Sequence, residues 1–121
     1  MATALLTTSA AAAATNGTYR GRTAQGLPIA LTVHAQKITQ VHVMTKTSCG
    51  GRPVALDIGG VYKIRIHADG KFKWNFTGSG MKVSVAGVVH GRRISGVFSD
   101  SAPGKTGRIC NTGSVHFHAS R

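Results

Sequence analysis

A chain of 121 residues has room for one domain with a modest core and too little for two. Its 41% hydrophobic content argues against a disordered chain, and 15 Lys and Arg against three acids, with no Glu, give a formal net charge of +12. That balance fits association with polyanions (nucleic acid, anionic wall polymer, sulfated sugar or acidic lipid) and fits equally a charged surface that serves solubility alone.

Residues 1–15 read as an Ala-rich leader. Leu5 and Leu6 precede an Ala run from Ala10 to Ala14, the form of the tail of a secretory signal with a small-residue cleavage site, although no Lys or Arg precedes the apolar stretch. Residues 16–121 are expected to form a single β-domain in an extracellular, secreted protein. No stretch approaches the ~18 apolar residues that span a bilayer. Many Val, Ile and Thr, 16 glycines and no long helical period predict strands and tight turns.

In chain order, the loop Ala24-Gln25-Gly26 predicts a hairpin that pairs Thr23 with Leu27, Gly21 with Ile29 and Tyr19 with Leu31; its Gly takes the left-handed position without a Cβ penalty. Residues 38–47 put Val41 and Val43 on one face and Ile38 and Met44 on the other. A bulge near Thr39-Gln40 brings Ile38, Val41 and Val43 together. Val54, Leu56 and Ile58 make a short strand. Around Ala68-Asp69-Gly70 the register pairs Ile66 with Phe72, Ile64 with Trp74 and Tyr62 with Phe76, all on one face. A turn at His90-Gly91 pairs Gly87 with Ile94, Val85 with Gly96 and Val83 with Phe98. A last loop, Asn111-Thr112-Gly113, pairs Ile109 with Val115 and Gly107 with Phe117. The total is about ten short strands in an all-β, antiparallel up-and-down meander, as a small barrel or a two-sheet sandwich.

The two cysteines, Cys49 and Cys110, fit no zinc pattern, which brings ligands in close pairs. In a secreted chain a disulfide is their simplest use, worth roughly 4 kcal/mol by the chain-entropy argument. Two buried free thiols are the alternative.

The order Gly17-x-Tyr19-x-Gly21-x-Thr23, Gln25-Gly26, Ile29, Cys49, Asp69-Gly70-Lys71-Phe72, Val85-x-Gly87, Gly91-Arg92-Arg93, Ser95-Gly96, Cys110, Thr112-Gly113-Ser114-Val115-x-Phe117-x-Ala119 resembles small secreted β-domain proteins of unassigned function from high-GC actinobacteria. The resemblance spans residues 17–121. It implies an exported β-domain with Cys49 paired to Cys110, and supplies no catalytic residue.

Gly104-Lys105-Thr106 lacks the Gly five positions earlier and the following helix that a phosphate loop needs, so it reads as a loop between strands. Paired-carboxylate hydrolysis needs two acids across one bond. Asp69 belongs to a turn and Asp100 to a strand end, which leaves Asp57 alone. No nucleophile elbow is present. His116 and His118 alternate with Val115, Phe117 and Ala119, so both rings leave one sheet face about 6 to 7 Å apart at Cα. They are weak candidate metal ligands lacking a third, with Arg108 expected opposite His116 and Thr106 opposite His118. Lys63, Arg65, Lys71 and Lys73 point outward if Tyr62, Ile64 and Phe72 point inward; the register sets Arg65 opposite Lys73 and His67 opposite Lys71. With Arg92 and Arg93 they form a candidate anion-binding set, for which the competing role is protection of sheet edges. Phe72, Trp74 and Phe76 lie opposite those lysines, which disfavours sequence-specific recognition of nucleic acid by base stacking.

The reading is a secreted, monomeric, non-enzymatic β-domain without a cofactor or a membrane span, associating with an anionic polymer or cell-envelope surface. The alternatives are a small-ligand carrier with a cavity in the barrel and a protein-binding module of inhibitor or toxin type. A hydrolase ranks last. Tyr19, Tyr62, Phe72, Trp74, Phe76, Phe98 and Phe117 are all expected inward, filling a small barrel.

Overall fold

The computed structural model describes residues 13–60 and 62–121. Most of the expected leader, residues 1–12, lies outside the described residues. Ala14, 8% exposed, packs against the core. The Tyr19 hydroxyl accepts from the Thr15 amide at 3.0 Å and lies 2.7 Å from the carbonyls of Thr15 and Gly91.

Among the described residues, period-two alternation of apolar and polar residues gives ten strands. They are β1 (Gly17–Thr23), β2 (Pro28–His34), β3 (Lys37–Thr45), β4 (Val54–Ile58), β5 (Ile64–Arg65), β6 (Lys71–Gly78), β7 (Met81–His90), β8 (Arg93–Pro103), β9 (Ile109–Asn111) and β10 (Val115–Ser120). Every pairing is antiparallel, within one sheet of order β4-β3-β2-β1-β10-β8-β7-β6. The sheet curls into a half-barrel, and the meander is thus one wrapped sheet rather than a sandwich of two. Among the described residues no helix is long and apolar enough to cross a membrane.

Two rungs of the wrap are interrupted strands. β4 and β5 both pair β3, through Val41↔Ile58 and Ile38↔Ile64. β9 and β10 both pair β8, through Ser101↔Asn111 and Phe98↔Val115. The path therefore leaves one seam, between β4 and β6. At one end of it the Ala68-Asp69-Gly70 turn ties β5 to β6: His67 N–H donates to the Lys71 carbonyl at 2.9 Å and Gly70 N–H to the His67 carbonyl at 2.8 Å. Along the seam the Tyr62 ring stands edge-on to Trp74 at 5.5 Å and to Phe76 at 6.2 Å, and Trp74 stacks on Phe76 at 6.1 Å.

The inner face carries the core, with Tyr19, Leu31, Val41, Val85, Phe98 and Phe117 fully buried. Each such side chain stabilises the fold by roughly 1.5–3 kcal/mol relative to exposure. Cys49 and Cys110 form a disulfide with Cα atoms 5.3 Å apart, tying the β3–β4 loop to β9.

The first hairpin has the expected register: Tyr19 faces Leu31, Gly21 faces Ile29, and Gly26 is left-handed. The bulge on β3 also falls where expected. Thr32 faces Gln40 and Val33 faces Ile38, so Thr39 is the extra residue, and Ile38, Val41 and Val43 are buried together.

Four details differ from expectation. The β7–β8 turn is Gly91-Arg92, with His90 facing Arg93, so Gly87 faces Gly96 and Val85 faces Phe98. This slip of two positions keeps every side chain on its face. Asn111-Thr112-Gly113 is the break between β9 and β10 rather than a hairpin. The chain reverses instead at 104–107, where Gly104 N–H donates to the Arg108 carbonyl at 2.6 Å and Gly107 N–H to the Gly104 carbonyl at 3.0 Å. β5 does not pair with β6: Ile64 faces Ile38 and Arg65 faces Lys37, so Arg65 is not opposite Lys73. Finally, Tyr62 is 45% exposed at the seam and is no part of a closed interior.

Candidate anion-binding face

The outer face is built by the same alternation. Phe72 is buried on β6, so Lys71 and Lys73 point out; Phe117 and Ala119 are buried on β10, so His116 and His118 point out. Between those strands lie β7 and β8, which present small or apolar residues outward. The register orders them into rows. One runs Lys71–Val88–Ser95–His118–Arg22 and the next Lys73–Ala86–Val97–His116. A third runs His90–Arg93–Ser120–Arg20. With about 4.8 Å between strands, the lysine wall and the histidine wall stand about 14 Å apart.

Beneath the space between the walls, Gly87 and Gly96 face each other across β7 and β8 on the inner side of the sheet, with no Cβ. From inside, the Phe72 and Phe117 rings close against them: a Cβ on Gly87 would come within 2.9 Å of Phe72 Cζ, and one on Gly96 within 2.8 Å of Phe117 Cζ. Outside lies an open depression of about 650 Å³ with Ala86, Val88 and Val97 in its floor and Lys71, Lys73, His116 and His118 at its sides. A second depression of about 560 Å³ adjoins it, sharing Val88, Ser95 and His118 and adding Arg20, Arg93 and His90.

All three acids of the chain lie elsewhere. Asp57 is on β4, its Oδ1 2.5 Å from His42 Nδ1, with both side chains about half exposed, so this pair adds little stability. Asp69 Oδ1 accepts from the Lys71 amide at 3.0 Å and serves the turn. Asp100 follows Phe98 on the inner face of β8. Its backbone N–H donates to Thr112 Oγ1 at 3.0 Å, and the Thr112 N–H donates back to the Asp100 carbonyl at 2.9 Å. Its Oδ1 is buried with no hydrogen-bond partner among the described residues.

Burial pushes the Asp100 carboxyl above the ordinary carboxylate value. Folding then takes up a proton between the ordinary and the raised value. The stability Asp100 allows is therefore full below the ordinary value and falls as pH climbs through the raised one. Asp100→Asn removes that fall. The melting temperatures of variant and wild type should differ least near about pH 3, with the variant the more stable near about pH 7. A difference that is constant across this range would contradict the assignment.

The six sequence-predicted basic residues are not brought to one place. Lys71 and Lys73 form one wall of the large depression and Arg93 lines the smaller one. Arg92 is exposed in the adjoining turn, while Lys63 and Arg65 are exposed around β5, Arg65 beside Lys37. His116 faces Val97, and His118 lies between Ser95 and Arg22, so neither Arg108 nor Thr106 is opposite them. Among the described residues no cluster of three His, Cys, Asp or Glu is placed to hold a metal ion.

Alternation with the buried Tyr19 and Thr23 turns Arg20 and Arg22 outward on β1. What brings them to this face is the β1–β10 pairing, which no local signal encodes. Comparison of the chain with protein-family models, with curated proteins and with solved structures finds no match.

Proposed function

We propose that this is a secreted, non-enzymatic β-domain that associates with an anionic polymer or cell-envelope surface through the outer face of β1, β10, β8, β7 and β6. One observation carries the reading: Lys71, Lys73, His116, His118, Arg20 and Arg93 stand in rows that contain none of the three acids, of which only Asp69, in the turn before Lys71, adjoins them. Such a face carries an excess of positive charge, the condition for attracting a polyanion at distance and releasing its counterions on contact. The oxidised Cys49–Cys110 pair and the resemblance to secreted β-domains support the extracellular address. Tyr19, Phe98 and Phe117, fully buried inside the half-barrel, weigh against the carrier alternative.

The test is binding to heparin, to DNA and to an anionic wall polymer at low and near-physiological salt. Retained binding to one polymer at the higher salt is expected. For DNA, Lys71→Gln with Lys73→Gln should make the slope of log K against log salt shallower by roughly 1 to 2, since each lost phosphate contact removes about 0.9. Arg65→Gln, which lies off this face, should leave the slope unchanged. Equal effects of the two changes would contradict the placement, and weak binding to all three polymers that vanishes together with salt would contradict the function.

A further inference from the structure

An anionic polymer needs charge, and charge alone does not account for the floor of this face. Between the lysine and histidine walls lie Ala86, Val88 and Val97, and Val88 remains 37% exposed, one of the few large apolar side chains left at the surface among the described residues. The two adjoining depressions also differ in character. The larger has the apolar floor. The smaller is lined by two arginines, Arg20 and Arg93, in one row on either side of Ser120, two strand spacings or about 10 Å apart at the backbone.

Two arginines flanking Ser120 suit a phosphate or carboxylate, which they can engage by paired N–H donors. From that row to the row of Ala86 and Val97 is four residues along β8, or about 13 Å. Val88 and Ser95 occupy the row between and are common to both depressions. A charged basin thus continues into an apolar channel with basic edges.

We infer that this continuous trough binds a single-chain anionic amphiphile, with its head group between Arg20 and Arg93 over Ser120 and its alkyl chain over Val88 onto Ala86 and Val97. The occupant is argued from charge complementarity and the order of basins: only a ligand anionic at one end and apolar along its body matches both. This rests on the proposed anion-binding role of the same face and adds the class of ligand. Lys73 and His116 flank the chain without contacting a head group, so they contribute long-range attraction rather than specificity.

The experiment is calorimetric titration of the full chain with decyl phosphate at concentrations below its aggregation, beside ethyl phosphate, inorganic phosphate and heparin. Decyl phosphate is expected to bind at least tenfold more tightly than ethyl phosphate, because the chain covers apolar surface. Val88→Lys keeps the face positive and removes the centre of the floor. It should weaken decyl phosphate about tenfold and leave ethyl phosphate and heparin unweakened. Arg20→Gln with Arg93→Gln should weaken both alkyl phosphates.

Affinity independent of chain length on the wild-type protein overturns the inference whatever the variants do. So does decyl phosphate binding that begins only where the compound aggregates, or that survives Val88→Lys. Heparin separates the two readings. If heparin binds and chain length has no effect, only the amphiphile assignment fails; if neither heparin nor any phosphate binds, the polyanion reading fails with it.

Discussion

Phe98→Ala is expected to lower the stability of the domain by about 3–5 kcal/mol, the cost of a lost buried aromatic side chain and the cavity it leaves. Phe98 is fully buried on β8, facing Val85 of β7 on one side and Val115 of β10 on the other. β8 also pairs β9, so this one strand holds β7, β9 and β10. A curled sheet with a seam offers few neighbours able to move into the space. A domain of this size is stable by about 5–15 kcal/mol, so the loss is a large share of the total. Urea unfolding with the disulfide intact measures it. A loss below about 1.5 kcal/mol would mean that β8 is not the centre of the core.

Gly96→Ala should cost at least the upper end of the about 1–3 kcal/mol typical of overpacking. The added Cβ would meet the Ala86 carbonyl oxygen, Phe117 Cζ at 2.8 Å and Gly87 Cα at 3.1 Å. Two of these are backbone atoms in the middle of a paired sheet and cannot rotate aside. The backbone at Gly96 is ordinary strand, so the cost is steric and not conformational. Gly26→Ala is the contrasting case: Gly26 has φ 75° and nothing near its missing Cβ, so its cost comes from backbone strain alone. Thermal melts of both variants separate the causes. If Gly96→Ala melts with the wild type, the Gly87–Gly96 contact is not tight.

Much of this architecture was legible from alternation alone. Inward Tyr19, Phe72, Phe98 and Phe117, outward Lys71, Lys73, His116 and His118, the bulge at Thr39 and the 24–26 turn all follow from period two and turn chemistry. What was not legible is which strand lies beside which. Gly113 and Gly107 are both left-handed, at φ 64° and 77°, and either could close a hairpin. Only the length of β8, long enough to pair β10 and then β9, decides for the second. Gly91 fits either position of a two-residue turn. The register is chosen by the Phe72 and Phe117 rings, which require glycines opposite each other at 87 and 96. At the β2–β3 turn, Ala35 and Gln36 are left-handed without being glycine or asparagine. Asn16 Oδ1 accepts from the Ala35 amide at 3.0 Å and the Gln36 side-chain amide donates to the Ala14 carbonyl at 2.9 Å, contacts supplied from outside the turn. The candidate site shares this character. Each of its residues could be assigned outward, but the facing of lysines and histidines across β7 and β8 is a property of the wrap.

The central claim is that the outer face of β6, β7, β8, β10 and β1 receives an anionic partner. The most direct measurement is the change in backbone amide NMR shifts when a short heparin oligosaccharide is added at near-physiological salt. The largest changes are expected on Lys71, Lys73, Val88, Ser95, His116, His118 and the Arg20 and Arg93 row. Changes concentrated instead at Lys37, Lys63 and Arg65, or spread evenly over every basic residue of the surface, would contradict it.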